Sequence, residues 1–243
     1  MTYEKLREAV FLRRPNRFIA IVLLDGQETV CHVKNTGRCR ELLVPGTRVF
    51  VQQAANPARK TGWDLIAVQK GDRLINMDAA APNAVFSEWL RSGGPGFVPG
   101  LIRAECTRGD SRFDFYFEHG GQRTFAEIKG VTLEDRGVVR FPDAPTERGV
   151  KHLRGLIQCV RDGYEAWAVF VIQMRGVRFF APNWDTHPAF GHALREARDA
   201  GVRLLALDCE VTPEAIRIAE PVPVLLEEIP PGGLQKRPEA RIV

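Results

Sequence analysis

The stretch Ser111-Arg112-Phe113-Asp114-Phe115-Tyr116-Phe117-Glu118-His119-Gly120-Gly121-Gln122-Arg123-Thr124-Phe125-Ala126-Glu127-Ile128-Lys129 decides how the second half of the chain folds. From Arg112 to Glu118, Phe113, Phe115 and Phe117 alternate with polar residues, the period of a half-buried strand. His119-Gly120-Gly121-Gln122 turns the chain, and Arg123–Val131 returns beside it, so the spacing predicts a hairpin. Period-2 geometry sets Glu127 and Lys129 on one face, and the turn brings Asp114 across from them. Their neighbours Phe113, Phe115, Phe125, Ala126 and Ile128 are apolar, which places two carboxylates and an ammonium where unpaired charge is costly.

That assortment suits phosphodiester hydrolysis. Asp114 and Glu127 are the expected metal ligands and Lys129 the catalytic lysine. The carboxylates would hold Mg²⁺ or Mn²⁺, since oxygen donors without nearby His or Cys favour those ions over zinc. The pattern Asp…Glu-x-Lys resembles the core of the PD-(D/E)xK nucleases. A helix over Asn83–Arg91 precedes the hairpin and carries Glu88, which is either a further metal ligand or an exposed helix acid. A helix capped by Thr146 and running to about Asp162 follows, with Gly163 beyond it and Val150, Leu153, Ile157 and Val160 as its core stripe. It carries Lys151, included among the catalytic residues, and His152; both can equally be ordinary polar-face residues. A buried strand over Ala166–Gln173, a helix over Pro188–Ala200 and a strand over Val202–Leu207 imply a mixed sheet with helices on its faces.

Upstream, the first 80 residues read as short strands: Arg17–Leu24 and Thr29–Val33 around an Asp25-Gly26 turn, then Thr47–Gln52 and Trp63–Gln69. One or two helical turns are expected over Thr36–Leu43. The expected fold is therefore α/β (α+β), an OB-fold-like β-barrel over 1–81 joined to a nuclease-like mixed-sheet domain over 82–228. A loose tail over 229–243 holds Pro230-Pro231-Gly232-Gly233.

Composition narrows the class. Of 243 residues 44% are hydrophobic and 26% charged, an ordinary globular balance. No apolar run approaches the ~18–20 residues of a membrane helix, and the charged start carries no apolar leader, so a cytoplasmic protein is expected. Five scattered cysteines, with no Cys-x-x-Cys, argue against disulfides and structural zinc. Residues 1–80 carry 13 Lys and Arg against 8 Asp and Glu, whereas 81–243 carry 21 against 22. That surplus points either to a polyanion partner or to chance on a small count. No phosphate-cradling Gly-rich loop and no Gly-x-Ser-x-Gly is present, which removes NTPase and serine hydrolase readings.

The chain also resembles the sugar fermentation stimulation protein A family. Phe141-Pro142-Asp143-Ala144-Pro145-Thr146-Glu147-Arg148-Gly149-Val150-Lys151-His152-Leu153 is similar to its signature. Asn35-Thr36-Gly37, Asn56-Pro57-x-Arg59-Lys60, Ser111–Phe115 and Glu127–Leu133 follow in family order, over roughly residues 1–225. The resemblance implies a prokaryotic cytoplasmic protein with an OB-fold domain and a nuclease-like domain. It also implies DNA binding with little sequence preference and a link to sugar-metabolism genes. Arg38-Cys39 stands where the family usually has Ser-Met, and Gly130 where Asn often follows Glu-x-Lys. Asp143, in a loop stiffened by two prolines, can orient Lys151 or Arg148, help hold the metal, or cap a turn.

The expected DNA-contacting residues are Arg13, Arg14, Arg17, Lys34, Arg38, Arg40, Arg59 and Lys60 of the first domain, with Arg112 and Arg148 of the second. Phe18, Phe50 and Trp63 can serve base stacking or the core. Poor aromatic interleaving favours backbone contact with double-stranded DNA. Two readings stand: a Mg²⁺-dependent deoxyribonuclease, and a non-catalytic DNA-binding regulator that keeps the nuclease scaffold.

Overall fold

The computed structural model describes residues 1–35, 37–56 and 58–228. Thr36, Pro57 and the tail expected over 229–243 lie outside the described residues. Five strands close a barrel: β1 (Leu6–Asn16), β2 (Ile19–Leu24), β3 (Gln27–Val33), β4 (Arg48–Gln53) and β5 (Trp63–Lys70). Around it the neighbours run β1-β2-β3-β5-β4 and back to β1. All pairs are antiparallel except β3 with β5. This is the expected OB arrangement, with β6 (Arg73–Asn76) added beside β5.

Asp25 and Gly26 both take positive φ (51° and 80°), the two-residue turn whose twist matches a hairpin. The strand β1 goes beyond the sequence expectation. Its pairing with β2 shifts register between Phe11 and Arg13 and again before Asn16, so no clean alternation runs along it. The helical turns expected over Thr36–Leu43 contract to one, in which the Leu42 and Leu43 amides donate to the Cys39 carbonyl (3.2 and 3.0 Å). Phe50 is buried and Trp63 half-buried, whereas Phe18 is 50% exposed beside the β1–β2 turn.

The second domain follows as α1 (Ala81–Arg91), β7 (Leu101–Arg108), β8 (Ser111–His119), β9 (Gln122–Val131), β10 (Glu134–Asp135) and β11 (Val138–Phe141). Then come α2 (Glu147–Arg161), β12 (Glu165–Ile172), β13 (Phe179–Pro182), α3 (Pro188–Asp199), β14 (Arg203–Val211) and β15 (Ile216–Val222). The mixed sheet has the order β15-β14-β12-β9-β8-β7, parallel through β9, β12 and β14. A small sheet of β10, β11 and β13 stands apart from it. The Thr146 hydroxyl accepts from the Gly149 amide (3.0 Å), the expected N-cap of α2. Val150, Leu153 and Ile157 are buried as the stripe requires, joined by Leu156 and Cys159.

The two domains are not separate bodies. One continuous apolar core takes in Phe11, Val22 and Met77 of the barrel side and Phe113, Leu156 and Phe170 of the mixed-sheet side. Among the described residues no helix is long and apolar enough to cross a membrane.

Candidate functional site

The β8–β9 hairpin is closed by Gly120 and Gly121, both at positive φ (57° and 83°). Its ladder runs from His119↔Gln122 to Phe115↔Ala126 and stops there. Past that point the aromatic alternation breaks. Phe115 packs on Phe86 of α1 (5.3 Å between ring centres), whereas Phe113 packs on Phe125 (5.5 Å) and on His152 of α2 (6.3 Å). Phe113 and Phe115 therefore do not share a face, as strict alternation predicted, because β8 turns over at Asp114. The carboxylate at that turnover fills the opened ladder.

Asp114 accepts from the Ile128 amide through Oδ2 (2.7 Å) and from Asn83 of α1 through Oδ1 (3.1 Å). Burial, with repulsion from Glu127 behind it, raises its pKa above the ordinary carboxylate value. Glu127 is 5% exposed. Burial pushes its pKa up as well, but hydrogen bonds from His152 and Lys129 to Oε1 outweigh that and hold it below the ordinary value. The His152 tautomer follows from its other neighbour. Arg148 Nε donates to His152 Nε2 (3.3 Å), so the ring proton sits on Nδ1 and is donated to Glu127.

Glu127 Oε2 has no hydrogen-bond partner and is buried. A buried carboxylate oxygen left in this state, beside a second carboxylate that feels its charge, is what a cation site requires. No group of three His, Cys, Asp or Glu residues is placed to hold a metal among the described residues. Both ring nitrogens of His152 are engaged, so the donors left for a cation are carboxylate oxygens, which would suit Mg²⁺ or Mn²⁺ better than zinc.

The other residues singled out in the sequence divide. Lys129 joins the site through Glu127. Glu88 does not, since its carboxylate binds the Met1 ammonium (2.5 Å). Lys151 is exposed on α2 and makes no bond to the carboxylates. Arg13 pairs with Glu28 (2.8 Å), Arg59 with Asp64 (2.7 Å), Lys34 with Asp78 (2.5 Å) and Arg112 loosely with Glu105 (3.7 Å). The Arg14 guanidinium is taken by the carbonyls of Arg17, Asn35, Gly37 and Arg38. Arg17, Arg38, Arg40 and Lys60 are exposed. Asp143 accepts from the Arg38 amide (2.8 Å), tying the FPDAP loop to the barrel.

Sequence reasoning passed over Asn83 and left His152 open as an ordinary polar-face residue, whereas the structure buries it against Glu127. The signal for His152 was available: on the helical wheel it lies beside Leu156 and Cys159, inside the buried arc. Gly130 is also explained, since a Cβ there would stand 2.6 Å from Gln173 Oε1 and 2.7 Å from Pro82 Cγ.

A family model described as the SfsA N-terminal OB domain matches residues 12–77, and one described as the sugar fermentation stimulation protein RE domain matches residues 80–215. The chain belongs to the sugar fermentation stimulation protein family. A homolog from Desulfitobacterium hafniense strain Y51 is 58% identical over 230 residues, covering 94% of this chain and 100% of the relative. One from Clostridium beijerinckii is 52% identical over 226 residues, covering 93% and 100%. The structure of Pyrococcus furiosus SfsA in complex with Ca²⁺ superposes with a TM-score of 0.84 at 28% identity, covering 93% of this chain and 98% of that one. Asp114, Glu127 and His152 all fall inside the stretch matched by the RE-domain model.

Proposed function

We propose that this member of the family is a cytoplasmic DNA-binding protein, largely indifferent to sequence, whose β8–β9 site hydrolyses phosphodiester bonds with Mg²⁺ or Mn²⁺. The observation that carries this reading is the buried, unpartnered Oε2 of Glu127, a carboxylate whose charge Asp114 feels. Asp114 and Glu127 would hold the cation, which when bound supplies a lowered water pKa and neutralises charge on the scissile phosphate. The Ca²⁺ complex of the Pyrococcus furiosus relative supports a cation site in the family.

The protein's own groups have defined work. Lys129, anchored on Glu127 Oε1, sets an ammonium beside the reacting phosphate and stabilises its developing charge. His152 fixes the Glu127 carboxylate by occupying Oε1, which leaves Oε2 free for the ligand. Asn83 and the Ile128 amide do the same for Asp114. The link to sugar-metabolism genes belongs to the same reading, as the consequence of DNA binding.

One observation favours the second reading, a DNA-binding regulator that keeps the scaffold without cleaving. Glu88 and Lys151 stand away from the carboxylates, so the site has only two acids and one lysine. The two readings separate on supercoiled plasmid with Mg²⁺ or Mn²⁺. Conversion to nicked circles by the wild type, lost in both Glu127→Ala and Lys129→Ala, is the outcome of an active nuclease. Retained gel shift without cleavage of any DNA form moves the assignment to the regulator.

A further inference from the structure

Half of the eight barrel cations expected to meet DNA are already engaged within the protein. Arg13, Lys34 and Arg59 of the barrel are ion-paired, and Arg14 is occupied by four carbonyls. Such cations must give up a partner before meeting a phosphate. Helix α2 differs. Arg148, Lys151, Arg154 and Arg161 are all exposed along it, and among the described residues none has a carboxylate within ion-pairing distance. Gln158, exposed and neutral, lies between the last two.

This file starts at the site itself. Arg148 donates to His152, and His152 donates to Glu127. Ahead of the helix the chain leads back through Asp143, whose carboxylate holds the Arg38 amide. The Arg14 guanidinium gathers the carbonyls of Arg17 and Arg38 within 2.6–2.7 Å, so both lie on one rim of the barrel. Phe18, half exposed, belongs to that rim and offers an aromatic face. From Arg148 to Arg161 the helix rises roughly 20 Å. Measured along a duplex axis, that length holds about six phosphates of one strand.

We propose that α2, rather than the barrel wall, carries the phosphate backbone of bound DNA. The track enters over Arg17, Phe18 and Arg38 and passes the Asp114–Glu127 site at the first turn of α2. It continues along Arg148, Lys151, Arg154 and Arg161. The inference rests on the DNA-binding reading above and assigns it a surface. Unpaired cations in a line release counterions from the duplex without first breaking an ion pair, which gives the track its affinity and its indifference to sequence.

The test is fluorescence anisotropy of a DNA duplex of about 30 base pairs over a salt series in EDTA. It compares wild type, the triple variant Lys151→Ala/Arg154→Ala/Arg161→Ala and the barrel variant Arg40→Ala/Lys60→Ala. All five positions are exposed, so the three proteins should melt at the same temperature. The triple variant is expected to bind at least roughly tenfold more weakly, with a plot of log K against log salt shallower by about 2–3. The barrel variant should stay within about twofold of wild type. The reverse pattern, loss in the barrel variant and none in the triple variant, overturns the track and leaves DNA binding standing. A wild type with no salt-dependent affinity for the duplex overturns both.

Discussion

At Asp114, burial and the neighbouring Glu127 both favour the protonated acid. At Glu127 burial is outweighed by two donors that favour the anion. The stability consequences have opposite signs. Glu127 adds stability that is present above its ordinary value of 4.5 and is lost as pH falls through its lowered one. Asp114 is stabilising only while protonated, and that contribution is lost as pH rises through its raised value from the ordinary 3.8. Asp114→Asn is therefore expected to raise the melting temperature of the metal-free protein at neutral pH while abolishing cleavage. The gain should vanish below the unfolded-state pKa. A variant that melts lower than wild type at neutral pH contradicts the repulsion. At this scale Asp114, Glu127 and Lys129 were legible, because charge on an apolar strand has few explanations. His152 was left open, because its role depends on which neighbour takes each ring nitrogen.

At the scale of elements, α2 shows how tightly the site's support is packed. Gly155 sits mid-helix, where alanine normally gains about 1 kcal/mol. A Cβ there would stand 2.7 Å from Ser111 Oγ and 3.0 Å from Phe113 Cζ, so the helix lies close on β8 because the residue is glycine. Gly155→Ala should consequently lower stability, by about 1–3 kcal/mol in chemical denaturation. A stabilised variant would mean that helix propensity, not the approach to Phe113, governs the position. The elements read from sequence were β2, β3, β4, β5, α1, β8, β9, α2, β12, α3 and β14, each marked by an apolar run or period between turn or cap residues. Strand β1 escaped because its register slips twice, and β7 and β15 because they lie at the edges of the sheet with mostly exposed or half-buried residues. The overturn of Phe113 relative to Phe115 is likewise invisible to periodicity, since both remain buried.

At the scale of the molecule, polar contacts fasten the barrel to the mixed-sheet domain alongside the shared core. Glu134 of β10 is buried and receives Lys70 (2.8 Å) and Arg73 (3.1 Å) from the barrel side. Gln173, just past β12, donates to Asn76 Oδ1 (3.0 Å) and to the Asp78 carbonyl (3.0 Å). These partners are separated by 61 to 97 residues, which is why no local pattern announced the seam. Burial raises the Glu134 pKa, but Lys70, the Gly137 amide and Arg73 together hold it below 4.5. Its contribution is present above 4.5 and lost as pH falls through the lowered value. Glu134→Gln is expected to cost about 1–2 kcal/mol at neutral pH, since both cations stay a third exposed, and to flatten the acid limb of the stability curve. An acid limb identical to wild type would show that Glu134 does not hold the seam. The whole functional reading stands on a cation between Asp114 and Glu127 Oε2. Anomalous diffraction from crystals soaked in Mn²⁺ tests that claim most directly. The account predicts a peak bonded by both carboxylates and absent in Glu127→Ala; a featureless gap between them in the soaked wild type would contradict it.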